Sequence, residues 1–102
     1  MKLRTHKLRV TDETAALVRS LHPNLKRKIK AALQTILGDP QAGKALKDEL
    51  EGLRSFRVGR FRVVYRIRGE EGIIEITAIG PRKRIYEETL RLLKEKDFRI
   101  NL

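Results

Sequence analysis

The stretch LRSFRVGRFRVVYRIR, residues 53–68, decides the fold. Gly59-Arg60 joins two runs rich in β-branched and aromatic residues, and a two-residue link with glycine first suits a type II′ hairpin turn. That turn sets the pairing: Val58 opposes Phe61, Arg57 opposes Arg62, Phe56 opposes Val63, and Ser55 opposes Val64. Side chains alternate along a strand, so Phe56, Val58, Phe61, Val63 and Tyr65 share one face. Arg57, Arg62 and Arg66 share the other, with Ser55 and Val64 between them.

Outward from the hairpin, IIEITAIG (residues 73–80) reads as a third strand, which makes an antiparallel meander. Residues 83–96 return to helical spacing, with Ile85, Tyr86, Thr89, Leu90 and Leu93 on one stripe. Upstream, residues 6–10 (HKLRV) alternate as a short strand, and Thr11 is placed to cap a helix running to Leu21. Asp12 and Glu13 suit its positive end. Pro23 opens a second helix with Leu25, Ile29, Ala32, Leu33 and Ile36 in register, stopped by Gly38-Asp39-Pro40. A connector anchored by Ala45, Leu46 and Leu50 leads back to the hairpin. The expected architecture is a single α+β domain over residues 1–102. Two N-terminal helices and a C-terminal helix pack on one face of a small, mainly antiparallel sheet, leaving the other face free to bind.

Charge narrows the partner. Lys+Arg number 24 against 13 Asp+Glu, a formal +11 over 102 residues, which draws the chain towards polyanions. No apolar run approaches the roughly 20 residues of a membrane span, so a membrane partner is not expected. The basic opening MKLRTHKLRV lacks the apolar core of a signal peptide, and the cytoplasm is the expected location. With no cysteine there is no thiolate nucleophile, disulfide framework or Cys-bound metal. No carboxylate cluster has metal-ligand spacing, and no cofactor is expected. The many charged residues, with few Asn, Gln and Met, also fit a thermophile's composition.

The positive charge is concentrated. Residues 53–84 carry nine basic and three acidic side chains. Two arginines directly opposite one another repel unless an anion lies between them. They read either as solvated charges partly offset by Glu75, or as a phosphate site. Guanidinium groups match phosphate geometry bidentately and stay charged at every relevant pH. IGPRKR then places Arg82, Lys83 and Arg84 on the rim of the same sheet. Arg60 and Arg66 join the RNA-binding candidates. So does Arg54, although the register turns it to the opposite face unless a bulge brings it round. Tyr86 reads either as core packing or as a ring on which a nucleotide stacks. Lys26 and Lys30, with Arg27 and Lys28, give the second helix a basic face, either solvated or a contact for RNA or an acidic protein.

The stretches GLRSFRVGRFRVVYRIRG (residues 52–69) and ITAIGPRKRIYEETL (residues 76–90, through Tyr86) resemble the RelE/ParE family of bacterial and archaeal toxins. The helical pair, the KALKDELEG connector and the chain length resemble it as well. The resemblance implies a toxin paired with a cognate antitoxin whose disordered segment wraps it, the toxin alone being a monomer. In the RelE branch it implies cleavage of mRNA in the ribosomal decoding site, with mRNA and rRNA as partners. By position Arg57, Arg62, Arg82 and Tyr86 match the family's catalytic residues. The chain departs from the pattern at Ser55, where the best-studied branch has a second basic residue.

Cleavage by 2′-hydroxyl attack requires the nucleophile to lose a proton, the phosphorane charge to be stabilised, and the leaving oxygen to gain a proton. His6 and His22, the two histidines, lie far in sequence from the patch, which disfavours a paired-histidine ribonuclease. Arg57, Arg62 and Arg82 are the expected charge stabilisers. Tyr86 would stack on a base or assist proton transfer, a phenol being a poor base near neutrality. Two other readings stand beside this one. A ParE-type toxin would inhibit DNA gyrase and leave RNA intact. A non-catalytic RNA-binding module would expose aromatics on its sheet, whereas Phe56, Phe61 and Tyr65 fall on the expected core face.

Overall fold

The computed structural model describes residues 7–69 and 72–100, with side chains through Lys94. Along the chain run β1 (Lys7–Val10), α1 (Asp12–Ser20), α2 (Pro23–Gly38), β2 (Lys44–Ala45), β3 (Arg54–Val58), β4 (Phe61–Arg68), β5 (Ile73–Pro81) and α3 (Ile85–Ile100). A single 3-10 turn, Asp48–Leu50, follows β2. Five strands form one sheet in the order β1-β5-β4-β3-β2, antiparallel except where β1 runs parallel to β5. His6, the first residue of the expected first strand, lies outside the described residues.

The hairpin adopts the register that its turn dictates, with Arg57 opposite Arg62 and Ser55 opposite Val64. Gly59 has φ 59, and among the described residues Asp48 is the sole non-glycine with positive φ, so Arg60 completes a type II′ pattern. Local capping holds the helices. The Thr11 hydroxyl accepts from the Thr14 amide at 3.1 Å, and His22 Nδ1 accepts from the Asn24 amide at 3.1 Å. His22 is thus a helix cap, remote from chemistry.

Helices α1 and α2 cover one sheet face. Ile29, Ala32 and Ile36 of α2 bury against Val58, Val63, Tyr65, Ile74, Ile76 and Ile79. Tyr65 opposes Ile76 and Val64 opposes Ala78, leaving Thr77 as an extra residue in β5. This bulge keeps Ile76 and Ile79 on the same face despite their odd spacing.

The third helix departs from expectation. It does not join α1 and α2: Ile85, Leu92 and Leu93 pack with Leu53, Val64 and Ala78, which point from the opposite face. The cause is in β4, where Val63, Val64 and Tyr65 are consecutive and all fully buried, which demands cover on both faces. The second face is therefore only partly free. Another correction concerns the connector. Leu46 and Leu50 anchor it in the cluster under α3, but Ala45 is exposed in the two-residue strand β2, paired with Arg54.

The loop between α2 and β2 is held from the core. The buried Tyr65 hydroxyl donates to the Pro40 carbonyl at 2.6 Å and accepts from the Gly43 amide at 2.9 Å. A Cβ at Gly43 would sit 2.6 Å from that hydroxyl oxygen, so the close approach requires glycine. Arg54 fastens the same loop from the strand, its Nε donating to Gly43 O at 3.0 Å and its Nη2 to Gln41 O at 3.1 Å. Arg54 is thus a structural clasp on the α2 side of the sheet, and its assignment to RNA binding is withdrawn. Tyr65→Phe should leave a buried amide and carbonyl unpaired and cost about 1–3 kcal/mol in urea unfolding. Gly43→Ala should cost at least as much, through overlap with the Tyr65 ring.

Candidate functional site

The end of the sheet nearest the Gly59 turn gathers the charged candidates. Arg57 and Arg62 face one another across the hairpin on the face opposite α1 and α2, and Gly80 of β5 is the next residue in the row. Arg62 is half-buried, whereas Arg57 is exposed and its Nε reaches the Gly59 carbonyl at 3.4 Å. The chain leaving β5 is tied to the turn by the Arg82 amide, which donates to Arg60 O at 2.7 Å. That bond holds Arg82 beside the hairpin tip. Arg60, Arg82 and Lys83 are exposed around it.

Ser55 is the hub of the site. Its side chain is buried, and its Oγ accepts from Arg62 Nη1 at 3.0 Å. The Tyr86 hydroxyl donates to the same oxygen at 3.3 Å. One serine therefore links the hairpin arginine to the first turn of α3. Tyr86 is 36% exposed, which removes the core-packing reading and leaves a ring on the surface with its hydroxyl turned into the patch. Arg62 Nε is buried and has no hydrogen-bond partner among the described residues, which fixes the guanidinium at a cost. Among the described residues no carboxylate pairs with Arg57, Arg62 or Arg82.

Ser55 escaped the sequence reading, where it figured as a missing cation. Its signal was position: a small polar residue on the same face as Val64, between two arginines, within reach of both a strand and a helix. Such a residue can be a buried joint as readily as a loss.

Other candidates lie elsewhere. Lys26 and Lys30 belong to α2, across the sheet from Arg57 and Arg62, and do not join the patch. Arg84 borders an open groove of about 680 Å³ between α1, the end of β5 and α3, floored by Phe61 and Ile79 and bordered by Leu17 and Leu92. Glu88 also borders this groove; a hydrogen bond from Arg91 holds its carboxyl below the usual carboxylate range, with the nearby charge of Arg84 adding to the effect. Arg66 shares a face with Arg62 but sits opposite Glu75, beyond the row covered by α3. Among the described residues no group of three or more His, Asp or Glu could hold a metal ion, and no helix is long and apolar enough to cross a membrane.

Chemically, the arrangement offers three guanidinium groups with no carboxylate partner among the described residues, gathered around a strand end with one phenol beside them. It suits a phosphate whose charge grows during reaction.

Comparison with known proteins follows the same lines. No curated protein sequence matches the chain. In structure it resembles the RelBE2 toxin–antitoxin complex of Mycobacterium tuberculosis, with TM-score 0.68 and 28% identity over 76% of this chain and 99% of that one. It resembles a free-state mutant of Escherichia coli toxin RelE with TM-score 0.71 and 16% identity, over 90% and 97% of the two chains. A YoeB/ParE toxin from Agrobacterium tumefaciens gives TM-score 0.62 and 25% identity over 74% and 96%. Residues 8–86 match the family described as ParE toxin of type II toxin–antitoxin system, parDE, and this span holds all of the sheet but Lys7, both N-terminal helices and Tyr86. The chain belongs to that toxin family.

Proposed function

We propose that this toxin is a ribosome-dependent mRNA endoribonuclease, held inactive by a cognate antitoxin, as the RelE branch of the resemblance implies. The observation that carries this reading is the Ser55 hydroxyl, which ties Arg62 to Tyr86 in a patch where, among the described residues, no carboxylate pairs with the arginines.

In the proposed step the 2′-oxygen attacks the adjacent phosphorus. A new P–O2′ bond forms, the P–O5′ bond breaks, and the products are a 2′,3′-cyclic phosphate and a 5′-hydroxyl. The 2′ proton passes to solvent water as the nucleophile attacks, and the 5′-oxygen takes up a proton from water or from the Tyr86 hydroxyl as it departs. Arg62, Arg57 and Arg82 stabilise the negative charge gathered on the phosphorane oxygens. Tyr86 packs on the flanking base or moves a proton at its hydroxyl, poised by its bond to Ser55. The ribosome supplies orientation of the mRNA, and positioning alone is worth several kcal/mol. Ser55 thus offsets the absent second cation by holding the remaining one.

A second reading is favoured by the family match itself, whose description is that of ParE. Under it the chain inhibits DNA gyrase and cuts no RNA. A supercoiling assay run beside in vitro translation separates the two. Inhibition of supercoiling with translation untouched would reverse the choice.

Arg62→Ala is expected to lower ribosome-dependent cleavage by about 10²–10³-fold, the usual effect of removing one stabilising donor. Cleavage at the wild-type rate would sink the mechanism. Ser55→Ala removes no charge, so kcat should fall by about tenfold while KM for programmed ribosomes stays near its original value. A rise in KM with unchanged kcat would show that Ser55 serves binding alone.

A further inference from the structure

A second basic surface lies on the same sheet face as the hairpin arginines, at the opposite end of β4. The register places Arg66 of β4, Glu75 of β5 and Arg9 of β1 in one row across three strands. Arg68, Ile73 and Lys7 form the next row. Leu8 and Val10 point into the α1–α2 core, so alternation turns Lys7 and Arg9 to the face that carries Arg66 and Arg68. Among the described residues of these two rows, four cations accompany a single carboxylate. Glu75 accepts from Arg9 Nη1 at 3.3 Å and pairs with Arg68 Nε at 3.5 Å, yet the Arg9 and Arg68 side chains remain 59% and 46% exposed. The guanidinium groups thus keep most of their donors open to a ligand.

We infer that Lys7, Arg9, Arg66 and Arg68 form a second phosphate-binding platform, which grips an RNA backbone separately from the hairpin patch. The guanidinium groups stand on a rigid sheet, Arg66 and Arg68 about 7 Å apart along one strand. Glu75 pre-orders Arg9 and Arg68, since an arginine already held against a carboxylate loses less freedom on binding. The composition selects nucleic acid over protein. Protein interfaces need an apolar centre, and among the described residues of these two rows the apolar one is the half-buried Ile73. Nucleic-acid interfaces are polar and strongly positive. The ligand is therefore a phosphodiester chain, recognised by charge and shape with no base readout. The choice of RNA rests on the function proposed above; the platform itself needs no cleavage.

The test uses the full chain carrying Arg62→Ala, so that no RNA is cut, titrated into a fluorescein-labelled RNA stem-loop at several salt concentrations. Adding Arg66→Gln and Arg68→Gln should weaken binding about tenfold and flatten the log–log salt slope by about 1.5–2. Glu75→Gln should act the other way, tightening binding about threefold by freeing two arginines. Arg9→Gln gives an independent reading at the opposite edge, with an expected slope change of about 1. An unchanged salt slope in the Arg66/Arg68 variant, with far-UV circular dichroism showing it folded, overturns the inference. So does a labelled polyglutamate peptide that binds as tightly as RNA with the same dependence on these residues. Because the stem-loop is free of ribosomes, these outcomes are independent of whether the chain cuts mRNA or inhibits gyrase.

Discussion

Strand β4 is buried on both faces at its middle, and the arrangement of the molecule follows from that constraint. Val63 and Tyr65 point to one layer and Val64 to the other, and none of the three touches solvent. A strand in this position cannot leave either face bare, because each exposed side chain of this size would forfeit roughly 1.5–3 kcal/mol of burial. Helices α1 and α2 cover the first face and α3 the second. In covering Val64, α3 divides a continuous row of arginines into two groups. One surrounds the hairpin turn with Tyr86, and the other sits around Glu75. The separation of the cations into two groups at the two ends of the sheet is thus a result of packing.

Charge works against this packing. Two guanidinium groups face one another across the hairpin, and a third is held beside them by a backbone hydrogen bond from Arg82 to Arg60. In the free protein this crowding raises the energy of the folded state. A buried Arg62 Nε without a partner adds to it. Sites that bind a polyanion commonly carry such a cost, since the ligand removes it. The serine between Arg62 and Tyr86 keeps these groups in one geometry, which under the proposed function would leave little reorganisation for phosphate binding.

Much of this was legible in the sequence, and the failures have a common cause. The hairpin register follows from local rules, a glycine-first two-residue turn and period-two alternation, and it held at every pair from Ser55–Val64 to Val58–Phe61. The cap at Thr11 and the helix start at Pro23 are likewise local. Helical spacing showed that Ile85 and Thr89 are buried, but a stripe does not say which sheet face it meets. The run Val63-Val64-Tyr65 contained that answer, because alternation cannot hide three neighbours on one side. Arg54 and Ser55 were misjudged because their partners, the loop at Gln41–Gly43 and the α3 residue Tyr86, are distant in sequence. Strand β2 has two residues, too few to carry a period. The family resemblance named Arg57, Arg62, Arg82 and Tyr86; the structure brings the hairpin arginines and Tyr86 to one end of the sheet with Arg82 beside the turn, and their catalytic roles belong to the proposal.

The parallel pairing of β1 with β5 has a kinetic meaning. Arg9 and Glu75 are 66 residues apart, whereas β3, β4 and β5 are joined by short links. Closing so long a loop is entropically costly, so the meander forms early and β1 docks late. Contacts made after the folding barrier govern the rate of unfolding more than that of folding, so a late-docking seam bears on how fast the sheet opens. Lys7 and Arg9 lie on one side of the seam, and Arg66 and Arg68 on the other. A polyanion spanning them would staple the seam shut, and occupancy of the sheet's far end would then set the lifetime of the folded chain.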